Sequence, residues 1–432
     1  MDNGSVAYKA HAAAAEAGID MIVCDHHQAG EHRPDVLAHL NPKASDAAYP
    51  FPDLCGAGIA WKLAQALGAG PEELTQYAVL GTVADMVPLR GENRVIARFG
   101  LERLNAAVDR GDPGLSALAG VSGLAGRRIG GGQIGFQLGP RLNAAGRMED
   151  ATAGVELLLA REIAEARTLA ARLDASNMER REIQERMYRS AMDLAEAEVR
   201  DGAYGLVLAD RSWHSGVVGI VASKVVETWN RPAILIAVDP DGVGKGSGRS
   251  VPRFDLHAGL AGAGHLLDRF GGHIMAAGLT VQEEHIPEFR RLFREQCREA
   301  LEGADMRPVV TCDAELDLAD LNEPFVGLVE RGAPFGLGNA TPQFLVRGAR
   351  PVGEPRILKD RHLKFQVAAP DGRTIDCIGF GMAEQAGLIR ECGPAGLDLA
   401  VRVEMNVWQN RRSVQMQLKA VRAASSELGR RA

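Results

Sequence analysis

The chain is poor in the features that mark membrane and secreted proteins. Its six cysteines (Cys24, Cys55, Cys297, Cys312, Cys377, Cys392) are scattered over 432 residues, and none forms a C-x-x-C pair. That argues against a structural zinc site or a disulfide framework and fits a reducing cytoplasm. No apolar run approaches the roughly 18 residues of a membrane-spanning helix. The opening "MDNGSVAYKA" lacks a basic region followed by an apolar stretch, so no secretory signal is visible and the expected location is cytoplasmic. Positive charge is also short: the net charge is −7, which excludes a protein coated in basic residues. Any nucleic-acid footprint must be local, and one stretch qualifies. Between Val121 and Met148 stand Arg127, Arg128, Arg141 and Arg147 and no acid.

What remains is an ordinary globular composition, 46% hydrophobic and 24% charged, in a chain long enough for two to four domains. Residues 1–150 alternate helical and strand patterns: "SVAYKAHAAAAEAG" reads as a helix, "IDMIVC" as a strand, "GAGIAWKLAQALG" and "LTQYAVLGTVADMV" as helices. Such alternation implies a parallel α/β sheet, with ligands at the carboxyl ends of its strands. Residues 151–200 read as a long charged amphipathic connector helix with one packed face. A second α/β zone spans 201–303, with strands "YGLVLAD" and "PAILIAV" around the helix "VVGIVASKVVETW". Residues 304–432 show period-two alternation in "HLKFQVA", "TIDCIGF", "DLAVRVEMNVW" and "SVQMQLKAV", as in a small β-barrel or sandwich.

In "MIVCDHHQAG" an apolar strand stops at Asp25-His26-His27. Taken alone the triplet is either a polar strand terminus or a site, since neighbouring side chains share a site only where the strand ends. Two further carboxylates bear on that choice. Asp2 stands before a helix, where it is placed to cap it. Asp85 in "GTVADMVPL" is an acid inside an apolar segment, costly unless paired or bound to a cation. Asp with His suits Mn²⁺, with Mg²⁺ the harder alternative. Two ions about 3.5–4 Å apart generate a hydroxide and clamp a scissile phosphate.

Basic groups recur in short motifs. The guanidinium of arginine suits bidentate phosphate contact, which marks Arg141 and Arg147 in "RLNAAGRM"; a solvated loop is the alternative. "SWHSGVVGIVASK" puts His214 at the start of a helix, where anions bind; a capped helix with packed Trp213 is the alternative. "GVGKGSGRS" reads as a glycine-rich loop bearing Lys245, Ser247 and Arg249, able to cradle a phosphate on backbone N–H groups. It lacks Walker spacing. "GGHIMAAG" sets His273 on a loop open to close backbone approach. The tetrapeptide "DPDG", Asp239 to Gly242, reads as a turn and not as a metal site. In the last zone Phe335, Phe344, Trp408, Arg411 and Arg412 are candidates for stacking and backbone contact.

"MDNG", "DHH", "GTVADMVPL" and "RLNAAGRM", in this order, resemble successive motifs of the DHH phosphoesterase superfamily, and of its RecJ-type exonucleases in particular. "SWHSGVVGIVASK", "GKGSGRS" and "GGHIMAAG" resemble that family's DHHA1 domain, and "PFGLGNATPQF" with the strands after it its C-terminal OB-fold. The resemblance implies a DHH domain, a connector helix, a DHHA1 domain and an OB-like β-barrel. It implies 5′→3′ hydrolysis of single-stranded DNA in repair and recombination, with Mn²⁺ or Mg²⁺ as cofactor, two ions in the complete site. The single strand is expected between the first two α/β domains. By the same resemblance Asp2, His26 and Asp85 are metal ligands. Asp25 and His27 orient the site and contact the phosphate, and Asn143 and Arg147 lie near the scissile phosphate. Arg141 is a backbone contact, Ser247 and Arg249 are 5′-phosphate contacts, and His214 and His273 face the nucleic acid. Single-stranded DNA is the expected partner, with a single-strand-binding protein and a helicase beside it and no membrane. Two other readings are a single-strand-binding fragment without nuclease activity and a phosphodiesterase acting on short or cyclic oligonucleotides.

One departure stands out. The RecJ-like pattern begins with a strand carrying D-x-D-G, whereas here only Met1 precedes Asp2. The expectation is a chain lacking its first motif, with one metal position weak or empty. An exposed sheet edge and a tendency to aggregate go with it. Met1 stands where the family often has valine, which suggests a valine codon read as a start.

Overall fold

The computed structural model describes residues 1–424 apart from Glu31, Pro71, Glu149, Gly393, Pro394, Gln409 and Asn410; the side chain of Trp408 also lies outside the described part. The chain divides into two compact units. One comprises Met1–Ala106, Ile129–Gly135 and Val309–Ala432, the other Ala107–Arg128 and Phe136–Pro308. Among the described residues no helix is long and apolar enough to cross a membrane.

In the first unit a helix over Tyr8–Glu16 leads to strand β1, Ile22–Cys24, which pairs in parallel with β2, Ala38–Leu40, in the register Cys24↔Leu40. The parallel pairing follows the expectation, but the sheet at this end has two strands only, and helices take over from Gly56. Helices Gly56–Ala66 and Thr75–Ala84 pack with β1 through Cys24, Leu54, Ile59, Ala78 and Ile96. Their close approach needs small residues: a Cβ on Gly81 would lie 2.3 Å from the methyl of Ala57.

The second unit holds a five-stranded mixed sheet in the order β3-β4-β5-β7-β6. The strands are β3 Leu206–Asp210, β4 Ala233–Val238, β5 Val243–Arg249, β6 Leu267–Gly272 and β7 Ala276–Gln282. β3 and β4 run parallel and the other pairs antiparallel. β4 is buried along its whole length because both faces are covered. Ala233, Leu235 and Ala237 meet the helices Ile163–Arg200 and Val218–Trp229, and Ile234, Ile236 and Val238 meet Phe289 and Phe293 of the helix Ile286–Leu301. This two-sided cover explains why "PAILIAV" is a continuous apolar run. The expected long helix breaks once, into Thr152–Leu159 and Ile163–Arg200, and the 38-residue second piece buries Ala166, Ala170, Leu173, Met187, Ala191 and Ala195.

Strand β5 corrects the reading of "GVGKGSGRS" as a phosphate-cradling loop. It is an interior strand, paired residue for residue with β4 and β7, so its backbone donors serve the ladder. Its glycines answer crowding from the layers on either side. A Cβ on Gly244 would meet Ile236 at 2.7 Å, one on Gly246 Leu279 at 2.8 Å, and one on Gly248 Leu256 at 2.9 Å. The turn into β5 is the expected one, with the Asp239 carboxylate accepting from the N–H groups of Asp241 and Val243.

The last segment of the first unit contains β8 Ala314–Glu315, β9 Phe344–Leu358, β10 His362–Ala368, β11 Thr374–Gly379, β12 Leu397–Trp408 and β13 Arg411–Ala423. The order is β10-β11-β13-β12-β9-β8, and an added β9–β10 pairing closes a ring of five strands. Its core includes Val346, Leu363, Val367, Cys377, Leu399, Val401, Met416 and Leu418. "PFGLGNA" is not part of the ring. It folds back on the first 106 residues: Leu89 N–H donates to Leu337 O at 2.6 Å, and Arg94 donates to Gly332 O at 2.7 Å. Phe344 is buried in the ring core, so it is not a stacking platform. Arg411 and Arg412 are exposed, while Trp408's side chain lies outside the described residues.

Candidate metal centre and arginine cluster

The parallel register sets the carboxyl ends of β1 and β2 side by side, with Asp25 following one and Asn41 the other. Asp25 is 2% exposed and works as a hub. Its Oδ2 accepts from Ser5 N at 2.8 Å, and its Oδ1 accepts from His26 N at 2.8 Å, His27 N at 3.1 Å and His27 Nδ1 at 2.8 Å. Burial alone would push this carboxyl up. The donors from Ser5 and His27 outweigh it and hold the group well below the usual carboxylate range. With its oxygens so engaged, Asp25 orients the backbone and the His27 ring and has little capacity left for direct phosphate contact. Asn41 completes the support by donating to His27 O at 2.9 Å and Ser5 Oγ at 2.8 Å.

His26 is 7% exposed and turns inward. Its Nε2 lies 3.1 Å from Asp2 Oδ1 and 3.6 Å from Asp85 Oδ2. Ligand-capable atoms of Asp2, His26 and His27 lie within 4.8 Å of one another. The His26 and His27 rings are 4.4 Å apart between centroids. Nδ1 of His26, buried, has no hydrogen-bond partner among the described residues. Burial raises the Asp85 carboxyl and Asp2's like charge adds to the rise, with His26 opposing. Two carboxylates facing one imidazole, with no arginine or lysine bonded to either carboxylate among the described residues, is a donor set that a hard or borderline divalent cation would satisfy.

Two expectations about the carboxylates are corrected. Asp2 caps no helix. The first helix starts at Tyr8 after Ala7, and Asp2 is held instead by its N–H donating to Cys24 O at 2.7 Å, at φ +64°. Asp85 is not inside an apolar helix but at its C-terminal cap, with a side chain 44% exposed. Two kinds of support for this site, three residues in all, were missed in the sequence. Ser5 and Asn41 are short polar residues whose role exists only after β1 and β2 pair. Gly56 is the other: a Cβ there would lie 2.1 Å from Asp2 Oδ1, so its hydrogen makes room for that carboxylate.

The basic candidates other than Arg411 and Arg412 belong to the second unit. Arg147 ends the helix Gly139–Met148 and donates to Gly216 O at 3.1 Å; Asn143 is exposed one turn earlier on the same face. His214 precedes the helix Val218–Trp229 by four residues and so is not at its start; its Nδ1 accepts from Gly216 N at 3.1 Å. Arg249 donates to Ser247 Oγ at 2.9 Å, and a Cβ on Gly219 would touch both, 3.0 Å from Ser247 Oγ and 3.1 Å from Arg249 Nη2. The turn from His214 to Gly219 therefore joins Arg147 to the Ser247–Arg249 pair. His273 stays apart in the exposed β6–β7 hairpin. Arg141 differs from the rest. Its Nε donates to Asp174 at 2.8 Å, Nη1 to Gln137 O at 2.8 Å and Nη2 to Val121 O at 3.2 Å. It is an internal staple and has no open fork for a phosphate.

Known proteins carry the same parts. The DHH family, N-terminal domain, matches residues 1–86, the DHHA1 domain residues 202–299 and the RecJ OB domain residues 312–420. The chain thus combines a DHH-family N-terminal domain, a DHHA1 domain and a RecJ-type OB domain. The single-stranded-DNA-specific exonuclease RecJ of Bacillus subtilis is 37% identical over 97% of this chain and 53% of its own length. RecJ of Dickeya dadantii is 37% identical over 96% of this chain and 75% of its own length. The crystal structure of Thermus thermophilus RecJ in complex with Mn²⁺ matches with a TM-score of 0.79 and 31% identity over 100% of this chain and 62% of that one. The chain belongs to the RecJ family of single-stranded-DNA-specific exonucleases. It spans about half the length of the Bacillus relative and three quarters of the Dickeya one.

Proposed function

We propose that this chain hydrolyses single-stranded DNA from the 5′ end, using Mn²⁺ or Mg²⁺, in repair and recombination. The observation that carries the reading is the convergence of Asp2 and Asp85 on His26 Nε2, at 3.1 and 3.6 Å, in a RecJ-family chain. Asp2, His26 and Asp85 are the residues to hold metal, with His27 beside them. A bound divalent cation supplies a water acidified toward hydroxide and charge to offset the phosphorane. The chain's own residues do the rest. Asp25 fixes the imidazole of His27 and the backbone of both histidines. Arg147, Asn143, Ser247 and Arg249, with His214, bind and orient the phosphates, since guanidinium forks match phosphate oxygens. His273 is a nucleotide contact at the hairpin tip. The ring of strands over residues 312–420 offers Arg411 and Arg412 to a single strand. The functional division we propose is a DHH domain over 1–150, a connector helix over 151–200, a DHHA1 domain over 201–303 and an OB domain over 304–432. A cytoplasmic location, a single-strand-binding protein and a helicase complete the setting.

The test is Mn²⁺-dependent release of nucleotides from a 5′-phosphorylated single strand, with a duplex as control and His26→Ala alongside. Cleavage of the single strand, lost on His26→Ala, supports the proposal. Salt-sensitive binding without cleavage would instead make the chain a single-strand-binding protein, and cleavage limited to dinucleotides or cyclic dinucleotides would make it a small-substrate phosphodiesterase.

A further inference from the structure

His39 stands on β2, outside the metal centre, and reaches it through one hydroxyl. The register His39↔Val23 puts its side chain on the face of the sheet where Val23 sits. The Gly4–Ser5 turn covers that face: a Cβ on Gly4 would lie 3.0 Å from Cγ1 of Val23. His39 Nε2 is 3.0 Å from Ser5 Oγ. Asn41, two residues on and so on the same face, donates to the same oxygen at 2.8 Å.

Counting protons gives this chain of bonds a direction. A serine hydroxyl has one proton and two lone pairs. Asn41 fills one lone pair of Ser5 Oγ. Burial raises the Asp25 carboxyl, whereas the Ser5 N–H, the ring and N–H of His27 and the Ser5 hydroxyl hold it down. An ionised carboxylate only accepts, so the hydroxyl proton points to Asp25. The second lone pair of Oγ is left for His39, which then donates from Nε2. Burial pushes the His39 imidazole down; of the charges around it, Asp46 and Asp25 oppose that shift and Arg33 and His11 reinforce it. A neutral ring carries one N–H, and the bond to Ser5 assigns it to Nε2. Asp25 thus receives the Ser5 hydroxyl on one side and His27 Nδ1–H on the other, the latter at 2.8 Å. The opposite tautomer of His39 would turn the Ser5 proton away from Asp25.

We propose that His39 is a positioning residue for His27: its Nε2–H aims the Ser5 hydroxyl at Asp25 and so fixes the carboxylate that holds the His27 ring. The inference rests on the proposed function, in which His27 meets substrate. His39 acts through two other residues, and hydrogen bonds in series strengthen one another.

The test is a double-mutant cycle read in Mn²⁺-dependent cleavage of a 5′-phosphorylated single strand. Ser5→Ala removes the relaying hydroxyl but keeps the N–H bond to Asp25. It should lower kcat about three- to tenfold, the size of one hydrogen bond's contribution, with KM unchanged. His39→Leu should lower kcat within the same range. The double variant should fall no further than Ser5→Ala alone, because the two residues act in one chain. His39→Gln, whose amide N–H can donate in place of Nε2–H, should restore most of kcat. A merely structural His39 would lower the melting temperature and leave the kcat of the folded enzyme as it was. Unchanged kcat in folded Ser5→Ala overturns the proposal. So do losses that multiply in the double variant, and so does a His39→Gln loss as large as that of His39→Leu. Should His39→Leu fail to fold, Ser5→Ala alone decides by the first of these outcomes. If the unaltered chain cleaves no DNA, the proposed function fails by itself. Histidine ring NMR of the metal-free protein then reads the chain of bonds. A His27 Nδ1–H resonance that shifts in Ser5→Ala and His39→Leu but not in His39→Gln supports the inference, and an unmoved resonance in folded Ser5→Ala refutes it.

Discussion

Gly56→Ala isolates the metal side of the site. Gly56 opens a helix at an ordinary negative φ, where alanine is normally better than glycine by about 0.5–1 kcal/mol. Here the new Cβ would stand 2.1 Å from Oδ1, 2.6 Å from Cγ and 2.9 Å from Cβ of Asp2. Carbon–carbon contacts relax to about 3.5–4.0 Å, so the whole side chain must retreat by roughly half to one ångström. It cannot simply swing its tip away, because its Cβ is in the clash and its N–H is tied to Cys24 O at 2.7 Å. Metal–ligand distances tolerate about 0.2 Å. The expected result is a 10–100-fold loss of Mn²⁺ affinity, the size seen when a ligand's support is disturbed, with the metal-free fold little changed. Melting with and without Mn²⁺ measures this. At about 100 times the parent's dissociation constant, Mn²⁺ adds about 2.7 kcal/mol to the parent. At that concentration it adds only about 0.4–1.4 kcal/mol to a variant weakened by that factor. At about 2–4 °C per kcal/mol for a domain of 150–250 residues, the shift drops by several degrees. An equal Mn²⁺-induced shift in both chains would refute the assignment of Asp2 as a ligand held in place by Gly56.

Asp25→Asn replaces a buried acceptor of four hydrogen bonds and should cost about 2–4 kcal/mol in chemical denaturation; a loss below about 0.5 kcal/mol would show that the hub is not needed. Arg141→Ala should destabilise the second unit by about 2–3 kcal/mol through the three acceptors it abandons, leaving the salt slope of DNA binding as it was. His273→Ala, at an exposed hairpin tip, should keep stability within about 0.5 kcal/mol while weakening DNA binding in a salt-dependent titration. In the strand ring, burial of Asp376 pushes its carboxyl up, but Lys364 at 2.8 Å and Gln366 at 2.8 Å hold it below its ordinary value. A lowered folded pKa stabilises above the unfolded value near 3.9 and loses that gain as pH falls through the folded one. Asp376→Asn should therefore cost about 1 kcal/mol at pH 7 and converge with the parent at low pH in urea melts; a difference unchanged at low pH would contradict the sign.

Much of this was legible because the relevant signals are local. "MIVC" and "PAILIAV" are short apolar runs that stop at polar residues, and period-two alternation marks the last strands as well. What was not legible depends on tertiary partners. "GVGKGSGRS" has the composition of a loop, and only the neighbouring side chains Ile236, Leu279 and Leu256 show why a strand needs glycine at 244, 246 and 248. With the backbone N–H groups spent on the ladder, the proposed phosphate contacts of this stretch are left to the side chains of Ser247 and Arg249. Arg141 and Arg147 share one motif and look alike, yet one meets Asp174 and the other a backbone carbonyl. Ser5 and Asn41 are 36 residues apart and become partners only through strand register.

The tripeptide Asp25-His26-His27 shows how one motif carries separable tasks. A continuing strand would send its side chains to alternate faces. Because β1 ends at Cys24, the chain turns here, and the three residues enter three environments. The Asp25 side chain is 3% exposed and spends its oxygens on backbone and ring donors, the His26 side chain is 9% exposed and faces two carboxylates, and the His27 side chain is 61% exposed. Loss of activity therefore means different things along the triplet. At His26, under the proposed function, it would report a missing ligand in an otherwise intact fold. At Asp25 it follows from loosening the backbone that aims both histidines, and a melting curve separates the two causes. The outward His27, tethered through Nδ1 to Asp25, keeps Nε2 open to solvent, which suits the proposed division of labour in which His27 meets substrate and His26 holds metal.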